Sequence, residues 1–345
     1  MTADLDSWLL LLARSPDIYL HKVDPAHALA LLVKTQATAY RAASFLDDRF
    51  LLGLADGIWV PIGPLQAAAD KIDCKRPLHF IFHTGHVGST LVSRLLDDLL
   101  AAVLPLREPL PLRMLADIAD TRGDFESYAA LLVRLWSRGY THTEAVVLKA
   151  SSSAGRIAVP LLTQLPEARA VYLNLAIEPY LATLLAGENS LRDLRGYAAQ
   201  RGRRLQSRLR SPQAVPAIES AGELAAMSWL VETWAQRIAL DALPTRVLAV
   251  DFAGFLHDVP QGIARVVDHL GLSAAPSLLR DISRSQTLTR YSKAPEHSYD
   301  AQTRTDILQE SRRYNAGEIA RGLAWLDALA TVDAGVAAVL AAAGR

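Results

Sequence analysis

Five short apolar runs, at His79–Phe82, Val103–Leu106, Ala145–Leu148, Ala170–Leu173 and Val247–Val250, alternate along the chain with longer segments of helical period. Each run is bounded by Gly, Pro or polar residues, and none has a polar face to turn to water. Strands of this kind suit a parallel sheet covered on both faces, and their alternation with helices suits βαβ units. The predicted fold is therefore α/β: a doubly wound, mostly parallel sheet of about five strands with a phosphate loop. Residues 1–72, rich in Leu and Ala, read as a helical N-terminal cap. Residues 73–345 read as the main domain, with a helical insert at about 185–240.

The composition narrows the function classes. A chain of 345 residues, 51% hydrophobic and 21% charged, can bury a large core and is far from the composition of disorder. Its 36 Lys+Arg balance 36 Asp+Glu, so it does not find nucleic acid or an anionic membrane through a bulk positive field. Arg192, Arg195, Arg201, Arg203, Arg204, Arg208 and Arg210 fall close together, with Tyr197 among them. Without a series of interleaved aromatics they read as a solvated helix face, and second as a lid over an anion. The single cysteine, Cys74, excludes a disulfide framework and fits a reducing compartment, so the cytoplasm is expected. The apolar run Trp8–Ala13 is too short to span a bilayer. His79 and His83, four apart on a strand, stand too far apart to share a metal ion, and none is expected.

The chemistry concentrates in His79-Phe-Ile-Phe-His-Thr-Gly-His-Val-Gly-Ser-Thr-Leu91, a strand, a turn containing Gly85 and Gly88, and a helix opened by Ser89 and Thr90. Such a helix start presents unpaired N–H groups and partial positive charge, and the glycines let the backbone fold around an anion. The nucleotide-binding pattern G-x-x-x-x-G-K-[ST] is matched only in part. With Gly88 as its second glycine, His83 takes the place of the first and Ser89 that of the lysine. Without that lysine, a nucleotide kinase or hydrolase lacks its contact to the β/γ-phosphates.

The segments that follow resemble, in order, those of the P-loop sulfotransferases. His86-Val87-Gly88-Ser89-Thr90 is similar to the loop of that family, and Pro105-Leu-Arg-Glu-Pro109 to its acceptor-facing Glu-Pro. Val146-Val-Leu-Lys149 with Gln164-Leu-Pro-Glu-Ala168, then Val171-Tyr172-Leu173 with Glu178-Pro179, resemble the next two passages. Val247-Leu-Ala-Val-Asp-Phe-Ala-Gly-Phe-Leu256, Val259-Pro260 and His269-Leu-Gly-Leu272 resemble the last. The resemblance implies transfer of a sulfuryl group from 3′-phosphoadenosine 5′-phosphosulfate to a hydroxyl or amine of a small acceptor, without a metal. Two departures stand out. His86 replaces the loop cation, and the arginine that follows the fourth strand in that family is absent, with Asn174 and Ile177 nearby.

Candidate roles follow from that implied reaction. Gly85, His86, Val87, Gly88, Ser89 and Thr90 would cradle the donor phosphate, with His86 favoured as imidazolium beside the anion. Glu108 is the candidate general base, with Asp251 its rival and an ion pair to Arg107 or Arg113 its structural reading. Lys149, at a strand's carboxyl edge, would face the ligand, and Ser151, Ser152 and Ser153 would cap the next helix. Thr183 would contact the 3′-phosphate. Arg290 and Lys293, in a polar segment from Ser283 to Thr305 that reads as an ordered loop or lid, would supply the missing cation, as would an arginine of the insert. The apolar content of the N-terminal segment and the insert points to a hydrophobic acceptor. The alternatives are a sulfotransferase-like protein that binds a ligand or partner without turnover, and a nucleotide kinase or hydrolase.

Overall fold

The structure is a computed structural model that describes residues 2–53, 56–72, 75–121 and 123–344, without the side chains of residues 2–4 and 214; Cys74 lies outside the described residues. Five strands form the central sheet: β4 (Leu78–His83), β5 (Val103–Arg107), β6 (Ala145–Lys149), β7 (Ala170–Asn174) and β8 (Val247–Asp251). They are parallel throughout, in the order β5-β6-β4-β7-β8. Alternate strand residues enter two cores. Phe80, Phe82, Val146, Leu148 and Tyr172 face one side, and Ile81, Val147, Val171 and Leu173 the other. Burial on both faces is why β4 to β7 read as continuous apolar runs; β8, at the edge, is partly exposed. Pro105, which has no N–H to give, sits in β5 at the sheet edge, where a missing donor is tolerated.

Topology places the chemistry. The chain leaves β4 toward β5 on one side, and leaves β6 across β4 toward β7 on the other. Connections diverge at the carboxyl ends of β4 and β6, the place where open α/β sheets gather ligands. The insert is helical as expected, with helices Glu188–Gly196, Ala198–Gln206 and Ala221–Ala242.

The N-terminal segment differs from the expected helical cap. Besides helix Thr2–Arg14 it holds an antiparallel sheet of β1 (Ile18–Asp24), β2 (Leu29–Lys34) and β3 (Gly57–Pro61). The Leu and Ala content that suggested helix is overridden by a turn. Asp24 Oδ1 accepts the amides of Ala26 at 3.1 Å and His27 at 3.3 Å, closing the chain back on itself after β1. The segment shares its core with the main sheet, since Trp8, Leu12, Ile18, Leu20 and Tyr40 pack with Phe80, Leu104 and Leu148.

Arg138 ties the two parts together. Its buried guanidinium donates to the carbonyls of Leu12 (2.7 Å), Ser15 (2.8 Å), Ile18 (2.8 Å) and Leu135 (2.9 Å). Arg138→Ala removes these charge-assisted bonds and strands carbonyls in the interior, so we expect a loss of about 3 kcal/mol or more, read as a lower urea midpoint. A loss below about 1 kcal/mol would show that the segment is not held through this residue.

Candidate phosphate-binding site

The turn after β4 owes its shape to residues in the left-handed region: Gly85 (φ 101°), His86 (φ 54°) and Gly88 (φ 73°). A side chain at Gly88 is excluded twice, because an added Cβ would lie 1.9 Å from the Phe252 ring. The turn is bolted down from beneath. His83 Nδ1 accepts the Gly85 amide at 3.0 Å, which leaves Nε2 to donate to the Ala150 carbonyl at 2.8 Å. Tyr180 Oη donates to the Thr84 carbonyl at 3.0 Å, and Thr84 Oγ1 donates to Asn174 Oδ1 at 3.0 Å.

Beyond the turn, helix Ser89–Leu99 offers its N-terminus. Among the described residues, the amides of His86, Val87, Gly88, Ser89, Thr90 and Leu91 donate to no backbone or side-chain acceptor. Thr90 is 2% exposed, yet its Oγ1 has no partner among the described residues. Unpaired buried donors gathered at one point are what an anion satisfies. The residues therefore fit a phosphate group by the chemistry of the donor set.

They open on a cavity of about 670 Å³. Of the sequence candidates, His86, Val87, Gly88, Ser89 and Thr90 line it from the turn, Glu108 and Lys149 from the ends of β5 and β6, Thr183 from helix Ile177–Leu185, and Arg290 and Lys293 from the late segment. Gly85 shapes the turn without lining the wall. The late segment forms a roof. Tyr291 donates its amide to the His297 carbonyl at 2.8 Å, and Arg94 on the turn's helix donates to the Ser292 carbonyl at 2.6 Å.

Electrostatics revise three of the roles. Burial pushes His86 down to about 3, and neighbouring Lys293 adds to that, so the fold favours neutral imidazole over the expected imidazolium. Lys293 makes no hydrogen bond or ion pair among the described residues, which leaves its ammonium free on the cavity wall beside His86. Glu108 pairs with neither Arg107 nor Arg113. Its carboxylate accepts from Lys149 Nζ, and Arg107 binds Asp97 instead. Lys149 is fully buried, and burial holds its ammonium below the usual lysine range against the opposing charge of Glu108. The Thr183 hydroxyl proton is spent on the Pro179 carbonyl at 2.7 Å, so it is not free to donate to a phosphate.

Other positions serve the scaffold. Asn174, where an arginine was missed, donates to Gln236 Oε1 at 2.7 Å and to Thr233. Asp251 caps helix Phe252–His257 by accepting the Gly254 amide at 2.6 Å. Ser151 makes no cap; its Oγ is buried without a partner among the described residues. The arginine-rich stretch is not wholly a solvated face. Arg192, Arg195, Arg203 and Arg210 are exposed, but Arg204 is buried and grips fully buried Glu232 through two bonds of 2.7 and 2.9 Å, with Arg201 beside it. Among the described residues no group of three or more His, Cys, Asp and Glu could hold a metal ion. No helix of those residues is long and apolar enough to cross a membrane.

Sequence reasoning missed Phe252, Tyr299 and Arg304 on the cavity wall. Phe252 carried a usable signal, as the first residue past the end of β8. Arg304 lies inside the polar segment from Ser283 to Thr305, but nothing in its spacing set it apart from the other basic residues there.

Fold and site together define an α/β protein with a loop of unpaired amides at the carboxyl edge of its sheet. Solved structures to which it is similar include the sulfotransferase domain from the curacin biosynthetic pathway, 12% identical over 70% of this chain and 98% of that one, with a TM-score of 0.41. A sulfotransferase from Alicyclobacillus acidocaldarius is 17% identical over 79% of this chain and 100% of its own, TM-score 0.40. A sulfotransferase from Mycobacterium avium is 13% identical over 90% and 96%, TM-score 0.35. No family model and no curated protein matches the chain. At these levels of similarity the function must be argued from the site.

Three histidines stay neutral in the fold: His83 and His86 at the turn, and His79 at the opposite end of β4. Burial is the first cause for each: it pushes His79 down to about 4, His83 well below the usual range and His86 to about 3. The unfolded chain takes up these protons near pH 6.5 and the folded one does not, so stability is full above about pH 6.5 and falls as pH drops toward 4. Near pH 5 the slope should approach about 4 kcal/mol per pH unit, at about 1.4 for each histidine. Urea unfolding at pH 7.5, 6 and 5 measures it, and His86→Gln should remove about a third of the slope. Equal stability at the three pH values would refute the neutral assignment.

Proposed function

We propose that the protein transfers a sulfuryl group from 3′-phosphoadenosine 5′-phosphosulfate to a hydroxyl or amine of a small acceptor. The observation that carries this reading is the set of unpaired amides from His86 to Leu91 with the orphaned Thr90 hydroxyl, facing one cavity with Lys149 and Lys293. A magnesium–nucleotide is a poorer match. Ser89 stands where the lysine of the common nucleotide loop would meet the β/γ-phosphates, and the two carboxylates on the cavity wall, Glu108 and Asp300, each already accept a hydrogen bond, from Lys149 and from the Thr303 amide.

The donor, when bound, supplies a sulfuryl group on a phosphate leaving group. The chain's work is then positioning and electrostatics. The amides of the turn and Thr90 Oγ1 would hold the phosphate, and the Lys293 ammonium would offset its growing charge. Glu108 would take the acceptor's proton on a carboxylate oxygen. Lys149 would orient Glu108 and place positive charge beside the reacting group. His86, neutral, would offer a hydrogen bond and no charge. Leu256, Leu288 and Tyr291 give the same cavity an apolar side, which suits a hydrophobic acceptor. A cytoplasmic location belongs to the same reading.

The Lys149–Glu108 pair also favours a second reading, a nucleotide-binding protein without turnover, because a carboxylate held by an ammonium is a weak base. One set of measurements separates these. Adenosine 3′,5′-bisphosphate at about 100 times its dissociation constant should stabilise the fold by about 2.7 kcal/mol and raise the melting temperature by several degrees, with ATP and magnesium doing less. Absence of a shift with the bisphosphate sinks both readings, and a larger shift with ATP and magnesium moves the assignment to a kinase or hydrolase.

If Glu108 is the base, Glu108→Gln should lower turnover about 100-fold or more while bisphosphate binding persists. Full turnover in that variant would reassign the base. Lys293→Ala should weaken the bisphosphate about 10-fold or more, as loss of a charge-assisted contact requires.

A further inference from the structure

Gly85 and Gly88 run in the left-handed region at no steric cost, whereas His86 does so at φ 54° with a side chain to carry. A glycine would adopt that conformation without strain, and what position 86 gains from its residue is the imidazole. That ring has one partner. Its Nδ1 lies 3.3 Å from Ser190 Oγ, on helix Glu188–Gly196 of the insert, and both residues line the cavity. Nε2 has no hydrogen-bond partner among the described residues. The helix that brings Ser190 to the turn is braced from behind, where Leu194 is buried and Asp193 accepts from Arg201 at 3.3 Å.

The direction of the Ser190–His86 bond decides what a ligand meets. His86 is neutral in the fold: burial, Lys293, His83 and Arg201 oppose its protonation, and Glu108 favours it. A neutral imidazole has one N–H and one bare nitrogen. Ser190 is 9% exposed, and its Oγ has no other partner among the described residues. If Nδ1 donated to Oγ, the hydroxyl proton would lack an acceptor, and a bare Nε2 beside the turn would repel an anion. If Oγ donates to Nδ1, the hydroxyl is satisfied and the ring proton sits on Nε2. The second arrangement leaves no donor wasted and adds one to the unpaired amides of residues 86–91.

We propose that Ser190 is a positioning residue: it donates to His86 Nδ1, fixes the Nε2–H tautomer, and so gives the 85–90 turn a neutral side-chain donor for an oxygen of the bound phosphate or sulfuryl group. The donor role rests on the reading of the preceding subsection; the tautomer does not. The insert then does more than cover the site, because its first helix sets where the proton of the turn's histidine lies.

Nitrogen spectra of protein labelled with 15N-histidine at pH 7.5 test this, because the protonated and bare nitrogens of a neutral ring resonate far apart. His86→Gln identifies the signals. Without ligand, wild type should carry the His86 proton on Nε2 alone. Ser190→Ala should show a mixture of the two tautomers, and Ser190→Thr, which keeps the hydroxyl, should restore the single form. Adenosine 3′,5′-bisphosphate should shift the Nε2–H signal, and Ser190→Ala should bind it about 3- to 10-fold more weakly, with Ser190→Thr close to wild type. A wild-type proton on Nδ1 or on both nitrogens, or an alanine variant with the wild-type pattern, overturns the assignment of Ser190 and leaves the functional reading standing. So does an Nε2–H signal that does not move when the bisphosphate binds. A wild type that does not bind the bisphosphate removes the functional reading and the donor role together.

Discussion

The ring of Phe252 occupies the space that any side chain at position 88 would need, and much of the site depends on that contact. It joins the turn after β4, at the centre of the sheet, to the first residue past β8, at its edge. Gly88 fits against the ring and runs in the left-handed region, and the next amides are delivered to the cavity together. The ring's face then becomes the wall on which Arg304 rests. One close approach thus fixes the turn and sets the ring between it and Arg304.

The zero net charge of the chain gains meaning from this arrangement. Attraction for an anionic ligand cannot come from an overall field and must be local. The cavity wall carries Lys149, Lys293, Arg290 and Arg304 against Glu108 and Asp300. Burial turns what would otherwise be two further cations at the turn, His83 and His86, into neutral groups. The ammonium of Lys293, unattached among the described residues, therefore does more than a count of basic residues near the turn would suggest.

The parts of the fold that are local in sequence were legible in it. All five central strands lie within a residue or two of the apolar runs; β4 to β7 are apolar throughout because they are buried on both faces, while β8, at the edge, is partly exposed. The turn was legible because its glycines and the helix start sit side by side. What escaped is settled by partners far along the chain. The N-terminal strands were hidden by Leu and Ala, residues that helices favour, until the turn at Asp24 brought them together. The insert arginines looked solvated because Glu232, which buries Arg204, lies 28 residues on. The neutrality of His86 follows from enclosure and from Lys293, which no spacing in the sequence reveals.

The N-terminal segment matters most where it touches Glu108. That residue holds φ at 49°, a conformation that costs a non-glycine residue about 1–3 kcal/mol unless its surroundings enforce it. The enforcement comes from both sides. The Glu108 amide donates to the Lys149 carbonyl at 2.7 Å, while Leu46 donates its amide to the Arg107 carbonyl at 2.7 Å and accepts the Leu110 amide at 3.1 Å. Arg107 in turn reaches the carbonyls of Arg41 at 3.0 Å and Ala43 at 2.9 Å. The turn that presents the carboxylate is therefore clamped between the central sheet and the chain around Leu46. A segment that reads as a separate cap is, in physical terms, bonded to the residues on both sides of Glu108 and helps to hold that turn in place.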